Sequence, residues 1–223
     1  MYKKTFASML IVFLIFSLLS INISAYSLSP NEPGTNIFPY YINTTVPTSA
    51  RNNIQLAAQG LSNYKWGSTL VISYKGTRQG SVSWQDSRSE IAYLNISELS
   101  TQSGWEFLAS SNYAVAVTVV NGSPYNYFDI ILNSYFGSIW GNGSGTVTIN
   151  GTQYCIIDYQ GIVTHELGHA VGLNDTYWVP TTETYPTMFY NVKRYPSTYG
   201  APHPFELRTL EPDDRRGLDA LGY

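Results

Sequence analysis

The chain has 223 residues, which suits one domain with a sizeable core and leaves little room for a second. Its formal net charge is -3, only 12% of its residues are charged, and no basic block occurs, so the electrostatic footprint for nucleic acid is missing. The single cysteine, Cys155, rules out an intrachain disulfide and lies too far from the N-terminus for a lipoprotein anchor. Set between Tyr154 and Ile156, it reads as a small buried hydrophobe. The 19 tyrosines, with many Ser, Thr and Asn, supply an uncharged polar surface of the kind common outside cells.

In chain order, Lys3 and Lys4 precede an almost wholly apolar run, Phe6 to Ile21, and Ile23-Ser24-Ala25 offers a small-residue cleavage site. Residues 1–25 thus read as an export signal, or as an N-terminal membrane anchor, and 26–223 as a single domain outside the membrane. Residues 26–47 carry four prolines and read as a lead-in with a short strand near Ile37–Ile42. Thr48 or Ser49 is the expected cap of a helix to about Trp66, with Ile54, Ala57, Ala58 and Leu61 at helical spacing.

Strand-like runs follow at Thr69–Tyr74, Ile91–Ile96, Tyr113–Val120 and Phe128–Leu132. Thr146–Ile149 and Thr152–Ile157 flank Asn150-Gly151, a strong hairpin signal, because both residues tolerate positive φ. A helix is predicted from about Asp158 to Val171, burying Val163, Leu167, Ala170 and Val171. A closing helix is predicted from Pro212 to Leu221. Sequons stand at Asn43, Asn95, Asn121, Asn142, Asn150 and Asn174.

Residues 165–175 read HELGHAVGLND. His165 and His169, four apart on a helix, project from one face and can bind one zinc ion at about 2.0–2.1 Å each. Glu166 sits beside them, where its carboxylate can reach a water on the metal. Gly172 can end the helix in the left-handed region, and Asp175 can then swing back as third ligand. The bland alternative is a solvated His/Glu face followed by a turn. His203, in a Pro-His-Pro loop, is a rival third ligand. Glu183, Glu206 and Glu211 are more remote ones.

The pattern HExxHxxGxxD, followed by Pro186-Thr187-Met188-Phe189-Tyr190, resembles the metzincin clan of zinc peptidases, with Asp175 in place of the usual third histidine as in snapalysin-like members. The run Leu210–Tyr223 resembles the closing helix of matrixin-type domains. Asp129–Ser134 with Trp140 is similar to their strand region. The resemblance is strong over residues 160–190, moderate over 128–223, and limited to element order in the first hundred residues.

The resemblance implies an α+β zincin-like domain: a twisted, mostly parallel sheet with an antiparallel edge strand, two large helices behind it, the motif helix and a C-terminal helix. It implies Met188 as the hydrophobic floor beneath the metal and Tyr190 as a residue near the metal or transition state. The implied activity is a secreted zinc endopeptidase. It would hold one catalytic Zn2+ on His165, His169 and Asp175, with Glu166 as general base and a protein or peptide bound in extended form. The hairpin around residues 145–157 is the candidate edge for that substrate.

Two features depart from matrixins. Only three histidines are present, too few for their structural zinc, and no loop recognisable as a calcium site occurs. A cysteine-switch propeptide is also absent. Two other functions are compatible with the residues: a non-catalytic adhesion domain on the same fold, and zinc hydrolysis of a non-protein amide. The intact Glu166 speaks against the first.

Overall fold

The computed structural model describes residues 27–31, 33–177, 185–192, 194–197 and 201–223. The export segment at 1–25 and Glu183 lie outside the described residues. Among those described, no helix is long and apolar enough to cross a membrane.

The strands are β1 (Ser27–Leu28), β2 (Ile37–Asn43), β3 (Val71–Arg78), β4 (Ser89–Leu94), β5 (Ala116–Val120), β6 (Phe128–Asn133), β7 (Trp140–Gly141), β8 (Thr146–Ile149), β9 (Thr152–Cys155), β10 (Ile157–Asp158) and β11 (Leu173–Asn174). The helices are α1 (Arg51–Ser62), α2 (Ile96–Leu99), α3 (Tyr159–Ala170) and α4 (Pro212–Ala220), with 3-10 turns at Thr48–Ala50, Glu106–Ser111, Ser134–Ile139 and Pro204–Arg208. The fold is mixed α+β, built on a five-stranded mixed sheet in the order β3-β2-β4-β6-β5. Strands β3, β2, β4 and β6 run parallel, and β5 is an antiparallel edge strand on β6.

Burial explains the sequence of the central strand. All six residues of β6 are buried because both sheet faces are covered. On one face α1 and α3 pack through Ile54, Ala57, Leu61, Val163, Leu167 and Ala170, all fully buried. On the other face Ile96 and Leu99 of α2, with Trp105 and Leu108, cover Ala92, Val119 and Ile131. The C-terminus locks the first layer: the Tyr223 hydroxyl donates to Val171 O, and the Tyr64 hydroxyl donates to Tyr223 O.

Several boundaries differ from expectation. Neither Thr48 nor Ser49 caps α1; the chain enters it through the 3-10 turn without a side-chain cap. The helix ends at Ser62, not Trp66, and the Ser62 hydroxyl accepts from Ile72 N, tying the helix end to β3. Strand β4 stops at Leu94 because Asn95 accepts from Ser97 N and Glu98 N and so starts α2. The hairpin forms as expected, with Asn150 at φ 49° and Gly151 at φ 78°. It forms a separate two-stranded sheet, however, and not part of the five-stranded one. The antiparallel edge is therefore β5, and the hairpin expectation for the edge is corrected. A local turn signal reveals which strands pair with each other, not which one borders a distant sheet. The sequon at Asn43 is fully buried, its amide committed to Glu90 and to Gly80 O.

Two carboxylates sit inside the sheet. Glu90 pairs with Arg78, while Asp129 is 3% exposed and accepts from Glu90 N at 2.9 Å. Burial, only partly offset by that hydrogen bond, pushes the Asp129 carboxyl up to about 8. The folded state thus keeps a proton that the unfolded chain releases above its ordinary value of 3.8. Stability should fall as pH rises from about 4 to about 8. Asp129→Asn should flatten that slope and be more stable than the parent at pH 8, as read from urea unfolding at pH 5 and pH 8.

Candidate metal centre

Helix α3 is held at both ends before any ligand is considered. At its start Asp158 is fully buried, yet its oxygens accept from Gly161 N, Gly143 N and the Arg208 guanidinium. At its end Gly172 takes φ 100°, a left-handed conformation that turns the chain back toward the helix. Strand β1 adds to the outgoing strand β11 in antiparallel register.

That turn brings Asp175 to the two histidines. His165 Nε2 and His169 Nε2 are 3.1 Å apart, and Asp175 Oδ1 lies 3.4 Å and 3.5 Å from them. The second nitrogen of each ring is already committed. His165 Nδ1 lies 2.7 Å from Thr187 O, and His169 Nδ1 lies 3.0 Å from Leu173 O. A carbonyl can only accept, so both Nδ1 atoms carry a proton, and with a metal ion bound both Nε2 atoms would present lone pairs to it.

Without a proton or a metal ion between them, three acceptor atoms would face one another. Asp175 Oδ1 is buried and has no hydrogen-bond partner among the described residues. Burial disfavours a charged His165, but the carboxylates of Asp175 and Glu166 outweigh it and push the imidazole up to about 9. Burial would raise the Asp175 carboxyl, yet the two histidines hold it well below the usual carboxylate range. Both effects point to one positive charge belonging at the centre of the trio.

The donor set fits zinc. A tetrahedral ion about 2.0–2.1 Å from each ligand requires ligand atoms about 3.3–3.4 Å apart, close to the three separations found. Two imidazole nitrogens and one carboxylate oxygen are ordinary zinc donors. They would leave a formal charge of about +1 and an open fourth position. Among the described residues, these three form the one cluster of potential metal ligands.

Glu166 is 6% exposed and points into the same cleft, where the Thr118 hydroxyl donates to its Oε2 at 2.7 Å. The cleft has a volume of about 520 Å³, and its walls include Val115, Thr118, Ile162, Tyr190 and Val192. Tyr190 lies on this wall, half exposed and in tilted contact with Tyr177, ring centroids 4.6 Å apart. Among the described residues, no hydrogen bond ties its hydroxyl to the metal trio or Glu166.

Residues 186–189 form a β-turn, with Phe189 N donating to Pro186 O. Asp214 of α4 fixes it: Thr187 N and Met188 N donate to this carboxylate at 2.8 Å and 3.1 Å. The turn is also stitched to the ligand strand, since Thr176 N donates to Met188 O and Tyr190 N to Thr176 O. Met188 is 2% exposed and packs against α3 where Gly168 leaves room. Nothing in the sequence singles out Thr118 or the Asp158–Arg208 pair, and for Asp214 the one available hint was an acidic residue in the first turn of the last helix.

The rival ligands among the described residues lie elsewhere. His203 caps the 204–208 turn by accepting from Phe205 N, and its Nε2 faces Gly145 O. Glu206 completes that capping box, and Glu211 caps α4. Cys155 is buried in β9 and is outside the ligand cluster. No family model matches the chain, and no curated protein matches it significantly.

A Cβ on Gly168 would lie 2.3 Å from Met188 Sδ, so Gly168→Ala must displace the turn's methionine. The expected cost is about 1–3 kcal/mol. In a Met188→Ala background the same change should be neutral or stabilising, because alanine favours a helix over glycine by about 1 kcal/mol. Thermal melts of the four proteins in this cycle check the coupling.

Proposed function

We propose that the chain is a zinc-dependent endopeptidase of metzincin type, acting outside the cell on extended segments of protein. The observation that carries this reading is the trio itself: two oriented imidazoles and an orphaned carboxylate oxygen around one point, with a buried glutamate alongside. Support for a peptide substrate comes from β5, which among the described residues pairs with β6 alone and borders the cleft. An extended peptide can add to such an edge through main-chain hydrogen bonds. The extracellular reading rests on the Lys3-Lys4 and Phe6–Ile21 pattern.

His165, His169 and Asp175 would hold the ion, which supplies Lewis acidity to a water and to the scissile carbonyl when bound. The residues of the chain do the rest. Thr187 O and Leu173 O keep the Nδ1 protons in place and so keep the Nε2 lone pairs aimed at one point. Glu166 accepts the proton of the attacking water on its carboxylate and returns it to the leaving nitrogen. The peptide bond breaks, and one carboxylate and one amine are released. Tyr190 stands on the cleft wall, where its hydroxyl could donate to the oxyanion after a rotation of its side chain.

The purified protein should cleave an unfolded protein substrate, and a chelator should abolish the cleavage. Glu166→Ala should reduce the rate by about 10²–10⁴-fold while leaving the zinc content unchanged. Equal rates in parent and variant would remove Glu166 from the reaction and the proposal with it.

A further inference from the structure

We propose that Thr118 is a positioning residue that holds the carboxylate of Glu166 in register with the substrate-binding edge of the sheet; this rests on the peptidase reading above. In β5 side chains alternate between faces. Val117 and Val119 join the cluster beneath the sheet, whereas Ala116, Thr118 and Val120 turn toward α3. The neighbours of Thr118 in its row are apolar, and packing alone would be served equally well by valine. What threonine adds at this place is one hydroxyl.

That hydroxyl lies 2.7 Å from Glu166 Oε2 and 2.9 Å from Glu166 O. It has a single hydrogen. The backbone carbonyl of a mid-helix residue is already an acceptor within the helix, and the carboxylate is the stronger, charged acceptor at the shorter distance. Among the described residues, Thr118 is the one hydrogen-bond donor to this carboxylate, and no lysine or arginine pairs with it. A glutamate left without a partner would wander over its rotamers, and fixing such a side chain carries an entropic cost. Threonine is suited to the task because its branched Cβ makes χ1 stiff.

The backbone of Thr118 is itself fixed, opposite Ile130 in the antiparallel ladder. The base is thereby tied to the strand whose free edge would receive the substrate, rather than to the helix alone. A peptide paired with β5 and the carboxylate that moves its protons then share one reference frame, which is the condition for a near-attack geometry.

The test compares Thr118→Val, which keeps shape and removes the hydroxyl, with Thr118→Ser, which keeps the hydroxyl. At equal zinc content, the valine variant should lose about 10-fold or more in kcat with KM within about twofold of the parent, and serine should restore most of the loss. A readout independent of turnover is the affinity for a peptide hydroxamate, whose acidic proton the base accepts. It should weaken about 5–10-fold for valine and hold for serine. An active parent whose kcat and hydroxamate affinity survive Thr118→Val would overturn this inference alone, as would serine behaving like valine. A change confined to KM would also overturn it, by assigning Thr118 to substrate docking. A folded parent that neither binds zinc nor cleaves protein would overturn the peptidase reading, and this inference with it.

Discussion

Two imidazole nitrogens and a carboxylate oxygen, 3.1–3.5 Å apart and mostly shielded from water, repel one another unless a positive charge sits among them. The surrounding structure works to keep them there. Each histidine is steered from behind by a carbonyl, and one of those carbonyls, Thr187 O, belongs to a turn whose amides are gripped by Asp214. Such outer contacts decide ring orientation and tautomer, so they are as much a part of the site as the three candidate ligands. The final helix therefore acts on the candidate metal centre from two steps away, through a carboxylate, a turn and a carbonyl.

Around this constraint the fold divides its labour. Helix α3 carries two candidate ligands and the glutamate, and it is anchored at its start by the ion pair of the buried Asp158 with the partly exposed Arg208, where loss of the arginine would strand a charge in the interior. Close approaches hold it from the sides. Gly161 admits Pro204 O, and Gly168 admits Met188. Strand β5 borders the cleft and brings Thr118 to Glu166, and β11 carries the chain to Asp175. The parallel core behind them, covered on both faces, supplies the rigidity that placement of reacting groups requires.

Much of this was legible in the sequence where the determinant was local. The i, i+4 spacing of His165 and His169, the helix stop at Gly172 and the Asn150-Gly151 turn each follow from backbone geometry over a few residues. The parallel sheet with an antiparallel edge followed from the resemblance, and the identity of that edge strand did not. What escaped were contacts between distant segments: Thr118 with Glu166 across 48 residues, Thr187 with Asp214 across 27, and Arg208 with Asp158 across 50. No hydrophobic period encodes such pairs, and Thr118 looks like any β-branched strand residue until the helix is packed against it. The second cluster was hidden for a similar reason, since Trp105 and Leu108 reach it from a 3-10 segment too short to show a repeat.

The most direct test of the account is the X-ray absorption spectrum of zinc in the purified protein, together with its stoichiometry. The account predicts one ion per chain in a four-coordinate shell of nitrogen and oxygen at about 2.0–2.1 Å, with two imidazoles, and loss of that shell in His169→Ala. A sulfur neighbour, or an unchanged spectrum in the variant, would place the metal elsewhere and contradict it.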